Sequence, residues 1–123
     1  MKIQFNIPQK IKKGWGYELI IENNDKYCGK ILHYDKKGSI SSGHFHSLKF
    51  ETFYVVKGTF SFFYWDEDGN KTQKIIMTGE TISIPNCCPH QLVCLEDDSE
   101  IFEVSTPHSD EDVTRILPGD SQK

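Results

Sequence analysis

The sequence predicts an all-β domain, a small barrel or jelly roll, from three observations. Short runs rich in β-branched and aromatic residues recur along the chain, Gly, Pro, Asp and Asn punctuate them, and no window sustains helical periodicity. Nine runs read as strands: residues 17–21, 29–35, 40–46, 51–56, 59–65, 71–77, 81–84, 90–95 and 100–105. Asp66-Glu67-Asp68-Gly69-Asn70, between the fifth and sixth runs, is a strong hairpin-loop signal. So many short strands in one unit fit a closed or double-layered sheet. The run 59–65 is apolar on both faces, with Phe60, Phe62 and Tyr64 on one and Phe63 and Trp65 on the other. The outward face of such a strand needs a cover, either a terminal segment or a second subunit, and a homodimer is predicted.

With 123 residues the chain suits a single domain over 1–123. The barrel proper is expected over about 28–106, with the terminal extensions packed on it or on a partner subunit. Hydrophobic residues at 37% and charged residues at 26% are ordinary for a globular protein. A net charge of −4, with Lys10, Lys12 and Lys13 as the only short basic cluster, argues against a nucleic-acid partner. The N-terminal MKIQFNIPQKIKK lacks the apolar centre of a secretory signal, and no apolar run is long enough to span a bilayer, so a cytoplasmic location is expected. Of the four cysteines, Cys87, Cys88 and Cys94 crowd together and two are adjacent, a poor disulfide framework, so Cys28 and these three are expected as free thiols.

Two blocks carry the chemistry. The first is Gly38-x5-His44-x-His46-x4-Glu51-x6-Gly58. His44 and His46, two apart on an extended segment, project from one face, and Glu51 opens the next strand after a short turn. The second is Gly79-x5-Pro85 followed by His90. Three imidazoles and a carboxylate suit one divalent transition metal ion, such as Mn, Fe, Co, Ni or Zn, with room for water or a bidentate substrate. A His-x-His pair alone is weak; the joint spacing gives it weight. His33 and His108 read as satisfied or solvent-facing side chains. Cys87, His90 and Cys94 form an alternative set closer to structural zinc, and the two cysteines otherwise read as small hydrophobes.

These blocks closely resemble the cupin superfamily motifs, G-x5-H-x-H-x3or4-E-x6-G and G-x5-P-x-G-x2-H-x3-N. Every fixed position of the first is met; in the second, Cys87 replaces Gly and Cys94 replaces Asn. The resemblance implies a double-stranded β-helix of antiparallel strands with the metal inside the barrel. Lys13-Gly14-Trp15-Gly16, Tyr27-x-Gly-Lys30, Glu51-x-Phe53-x-Val55-x-x-Gly58, Glu103-Val104 and Asp110-Glu111-Asp112-Val113-Thr114-Arg115 further resemble the cupin domain of type II mannose-6-phosphate isomerases. There His44 replaces a usual Gln, and Lys49 replaces an Arg, keeping charge but losing the bidentate fork.

That likeness implies a small-molecule substrate, a sugar or sugar phosphate, and aldose–ketose isomerisation in carbohydrate metabolism. The metal would polarise the carbonyl while a general base moves a proton between neighbouring carbons. Glu103, sharing a strand face with Ile101 and Ser105, is the candidate base, or an exposed strand carboxylate. Lys49 and Arg115 are candidates to bind an anionic substrate group, and Lys49 also to assist catalysis; Arg115, after an acidic run, could instead be a surface ion pair. Three imidazoles and a carboxylate also suit an Fe(II)-dependent dioxygenase, and a non-catalytic sugar-binding cupin is the third alternative. Nothing suggests a nucleophile triad or a phosphate-cradling Gly loop.

Overall fold

The computed structural model describes residues 2–123. Eleven strands form two antiparallel sheets, and the described residues include no helix beyond two short 3-10 turns. The strands are β1 (Gln9–Lys13), β2 (Gly16–Asn23), β3 (Cys28–Tyr34), β4 (Gly43–His46), β5 (Glu51–Lys57), β6 (Thr59–Trp65), β7 (Lys71–Met77), β8 (Thr81–Ile84), β9 (His90–Cys94), β10 (Ser99–Ser105) and β11 (Val113–Leu117). One sheet runs in the order β1-β2-β3-β10-β5-β8 and the other β11-β4-β9-β6-β7. The all-β jelly-roll expectation is met.

Strand alternation decides what lies between the sheets. Four strands send buried side chains inward in a graded series: Lys30, Leu32 and Tyr34 on β3; Glu103, Ile101 and Ser99 on β10; Glu51, Phe53 and Val55 on β5; His90, Leu92 and Cys94 on β9. Each therefore carries an ionisable residue at one end and apolar or small groups at the other. The ladder keeps them aligned, pairing Glu103 with Lys30, Ile101 with Leu32 and Val55, and Phe62 with Leu92. The result is a closed apolar end and a polar, open end. Tyr34 anchors the closed end, edge-on to Phe60 at 5.0 Å and stacked on Trp15 at 4.4 Å.

The loop 66–70 forms the expected hairpin: Asp66 Oδ1 accepts from the amides of Asp68 and Asn70, and Gly69 takes a φ of +82°. Gly58 explains one fixed glycine of the motif, since its φ is +90° and a Cβ there would overlap Ser99. Two strands have no counterpart among the nine expected. β1 is rich in lysine and lies at a sheet edge, while β11 is almost wholly exposed, so neither shows the alternation of a half-buried strand. The expected strand 40–46 is regular only from Gly43, and residues 39–41 meet the same neighbour, β9, through isolated main-chain hydrogen bonds to Leu92 and Cys94.

Candidate metal centre

His44 and His46 stand on β4, His90 opens β9 directly opposite His44 in the ladder, and Glu51 opens β5. The side chains meet at the open end of the barrel. One nitrogen from each of the three rings lies within 4.8 Å of the others. Glu51 Oε2 is 3.2 Å from His46 Nε2 and 3.3 Å from His90 Nε2.

What fixes the rings is their far side. His44 Nδ1 lies 3.0 Å from the Ser42 carbonyl, His46 Nδ1 3.2 Å from that of Asp112, and His90 Nδ1 2.8 Å from that of Cys88. A carbonyl oxygen can only accept, so in the neutral rings Nδ1 carries the proton and Nε2 is left as a lone pair. Burial, with His90 and His46 close by, pulls His44 down to about 3, so it is neutral at physiological pH. The Lys49 ammonium, 3.5 Å from Glu51 Oε1, favours the ionised form of the Glu51 carboxyl.

An ionised carboxylate thus faces imidazole lone pairs inside a barrel. Glu51 Oε2 and His90 Nε2 are buried without a hydrogen-bond partner. Acceptor against acceptor is repulsive, and a cation between them converts the repulsion into coordination. The donor set therefore fits one divalent ion, with His44, His46, Glu51 and His90 as the residues able to hold it.

Beside this cluster lies a second one. Lys49 is buried, with Nζ 3.0 Å from Glu103 Oε2, 3.5 Å from Glu51 Oε1 and 3.1 Å from His108 Nδ1. The ammonium donates to His108 Nδ1, so His108 Nε2 carries a proton and donates to Asp110 Oδ1 at 3.0 Å. Burial pulls Lys49 down, but Glu103 and Glu51 outweigh it and keep the ammonium above its ordinary value. Glu103 is pushed up, chiefly by burial, against the pull of Lys49. Glu18, on β2, meets Lys30 at 3.0 Å and Lys13 at 4.0 Å.

All seven residues singled out in the sequence line one pocket: His44, His46, Lys49, Glu51, His90, Glu103 and Arg115. Glu103 is not an exposed strand carboxylate, and Arg115 forms no ion pair among the described residues. Lys49 is already held by two carboxylates, so it is no free anion-binding group. His108 is satisfied at both nitrogens, as one of its two expected readings had it, but its place in the pocket wall was not foreseen, nor were those of Lys13, Glu18 and Lys30. Only Lys13 and Lys30 carried a signal, as members of the quoted motifs. His33 lies elsewhere, its nitrogens facing Glu100 and Asp98.

The alternative set of Cys87, His90 and Cys94 does not assemble. Cys94 sits four residues beyond His90 on the same strand, about 13 Å away by strand rise, and its thiol donates to the Glu96 carbonyl at 2.9 Å. Cys87 is exposed. All four cysteines are free thiols, as expected.

No family model and no curated protein matches the sequence. Solved structures do. Oxalate decarboxylase from Bacillus subtilis superposes with a TM-score of 0.75 at 18% identity, over 94% of this chain and 33% of that one. KdgF from Halomonas sp. superposes with a TM-score of 0.66 at 22% identity, over 77% of this chain and 81% of that one. The chain has the cupin fold. It spans about a third of the decarboxylase chain. A further matching structure of that decarboxylase, again with a TM-score of 0.75 at 18% identity, over 94% of this chain and 34% of that one, is described by its Mn(II) centres. β1 and β2 lie at one edge of the first sheet and β11 at one edge of the second. No helix among the described residues is long and apolar enough to cross a membrane.

Proposed function

We propose that this chain is a metal-dependent cupin enzyme of the sugar or sugar-phosphate isomerase type, with one divalent ion on His44, His46, Glu51 and His90. The observation that carries it is the set of three rings held by main-chain carbonyls at Nδ1, with the lone pair of His90 and a carboxylate oxygen left buried and unpartnered. The Mn(II) centres of the decarboxylase that shares the fold support a divalent metal as the ion this chain binds. The motif resemblance to type II mannose-6-phosphate isomerases supports the sugar chemistry.

A divalent ion bound there supplies Lewis-acid polarisation of a substrate carbonyl. The rest falls to the chain's own side chains. Glu103, pushed up by burial, takes a proton from the carbon beside the carbonyl and returns it to the neighbouring carbon. Lys49 fixes the Glu103 carboxylate through its 3.0 Å contact and keeps a positive charge beside the reacting atoms. His108 and Asp110 continue the hydrogen-bonded chain to solvent, where Asp110 is fully exposed. Arg115, without an ion-pair partner, is left to hold an anionic group of the substrate.

The test is a panel of aldose and ketose phosphates offered both anaerobically and in air to the protein loaded in turn with Mn, Fe, Co, Ni and Zn. Interconversion of one pair, abolished in Glu103→Gln with metal content unchanged, is the expected result. Turnover that consumes oxygen would instead identify a dioxygenase, and saturable binding without turnover a non-catalytic sugar binder; either overturns the isomerase.

A further inference from the structure

The C-terminal residues 119–122 run as a strap from the Ile40–Ser42 segment to Gly14 and take part in the pocket wall, since Ser121 and Gln122 line the pocket with the metal-centre residues. This strap is pinned on both sides. Asp120 exchanges hydrogen bonds with Ile40, its amide donating to the Ile40 carbonyl at 2.8 Å and its Oδ2 accepting from the Ile40 amide at 2.8 Å. On the other side Ser121 Oγ accepts from the Gly14 amide at 3.0 Å. Glycine permits both approaches: a Cβ on Gly14 would run into the Asp120 backbone, and one on Gly119 into Ser41 and Ser42. Close approach also accounts for the first glycine of the Lys13-Gly14-Trp15-Gly16 motif.

Both side chains of the strap are fixed through an accepted hydrogen bond and keep their donors unused. Ser121 Oγ is occupied as an acceptor, so its O–H remains to donate. Gln122 Oε1 accepts from the Gly119 amide at 2.8 Å, which fixes the amide orientation and leaves Nε2 with two donors. Arg115 and Lys13 line the same pocket, and the guanidinium has no carboxylate partner among the described residues. The acidic side chains there are already engaged: Glu18 by Lys13 and Lys30, Asp110 by His108, Glu51 and Glu103 by Lys49.

From this we infer that Ser121 and Gln122, with Arg115 and Lys13, form a donor-rich rim that binds the anionic group of the substrate, a phosphate or a carboxylate, while its other end reaches the metal centre. The strap is then a specificity-determining element. The inference rests on the proposed metal site only for the placement of that other end.

The test is calorimetric titration of inorganic phosphate and of malonate into the full chain, with and without bound metal. Gln122→Glu keeps the acceptor for the Gly119 amide and replaces two donors with a carboxylate oxygen. It is expected to weaken binding of the preferred anion by at least ~10-fold at unchanged metal content and melting temperature. Ser121→Ala is expected to weaken it less. Tighter binding of phosphate assigns a phosphorylated substrate, and tighter binding of malonate a carboxylate; both support the rim. Anion affinity unchanged in both variants, no anion binding by the wild type, or binding that vanishes with the metal and ignores the strap overturns it. Failure of the metal reading has a different signature, a wild type that takes up no metal yet still binds the anion in a strap-dependent way.

Discussion

Cys87 has a φ of +62°, the left-handed region that costs a side chain energy, at the position where the resembling motif carries glycine. Its thiol is exposed and makes only a long contact with the Ser47 carbonyl at 3.7 Å. Cys87→Gly should therefore stabilise the fold, by about 0.5–1 kcal/mol once the extra chain entropy of glycine is deducted, as read by urea unfolding. A loss of stability would show that the thiol contributes a contact of its own. Lys49 behaves oppositely. It is 3% exposed and lies between two buried carboxylates, so Lys49→Met leaves them unneutralised. The expected loss is about 3–5 kcal/mol, and adding Glu103→Gln should recover part of it. An unchanged unfolding midpoint in Lys49→Met would contradict the charge arrangement.

At the scale of elements, the turn between β4 and β5 decides whether Glu51 reaches the histidines. Asp112 holds that turn: its carboxylate accepts from the amides of Ser47, Leu48 and Lys49, and its carbonyl receives His46 Nδ1. Asp112→Ala should cost about 1–2 kcal/mol of stability and weaken metal binding. Partial burial pushes this carboxyl up, but the three amides outweigh it and hold it below its ordinary value. Its contribution is thus complete above about pH 4 and lost as the pH falls through the lowered folded value, so acid should narrow the stability gap between wild type and Asp112→Ala. A gap independent of pH would contradict this. The His44–His46 pair and Glu51 could be read from the sequence because strand alternation and one short turn bring them together locally. Asp112 could not, since its partners lie 63–65 residues away and its acidic run looks like a solvated surface.

For the whole molecule, legibility followed burial. Strands with one buried face announced themselves, whereas β1 and β11, at the sheet edges, did not. The convergence of Lys30 with Glu18, or of His108 with Lys49, depends on which strands become neighbours, and no local pattern encodes that. Self-association depends on the outer faces of the two sheets. The outward face of β6 is partly covered by its own chain, with Lys71 Nζ 4.5 Å from the Phe63 ring and 5.3 Å from that of Trp65. The outer face of the other sheet also leaves apolar side chains uncovered, with Tyr54, Val56 and Val104 44%, 39% and 50% exposed. Sedimentation at micromolar concentration should give twice the 14.2 kDa chain mass, with Val104→Glu shifting it to monomer; a monomeric wild type would contradict a homodimer.

The metal centre is tested most directly by elemental analysis of the purified protein beside His44→Ala and Glu51→Ala. About one divalent ion per chain is expected in the wild type and almost none in either variant. A wild type that takes up none of Mn, Fe, Co, Ni or Zn, or variants that retain the full metal content, would contradict it.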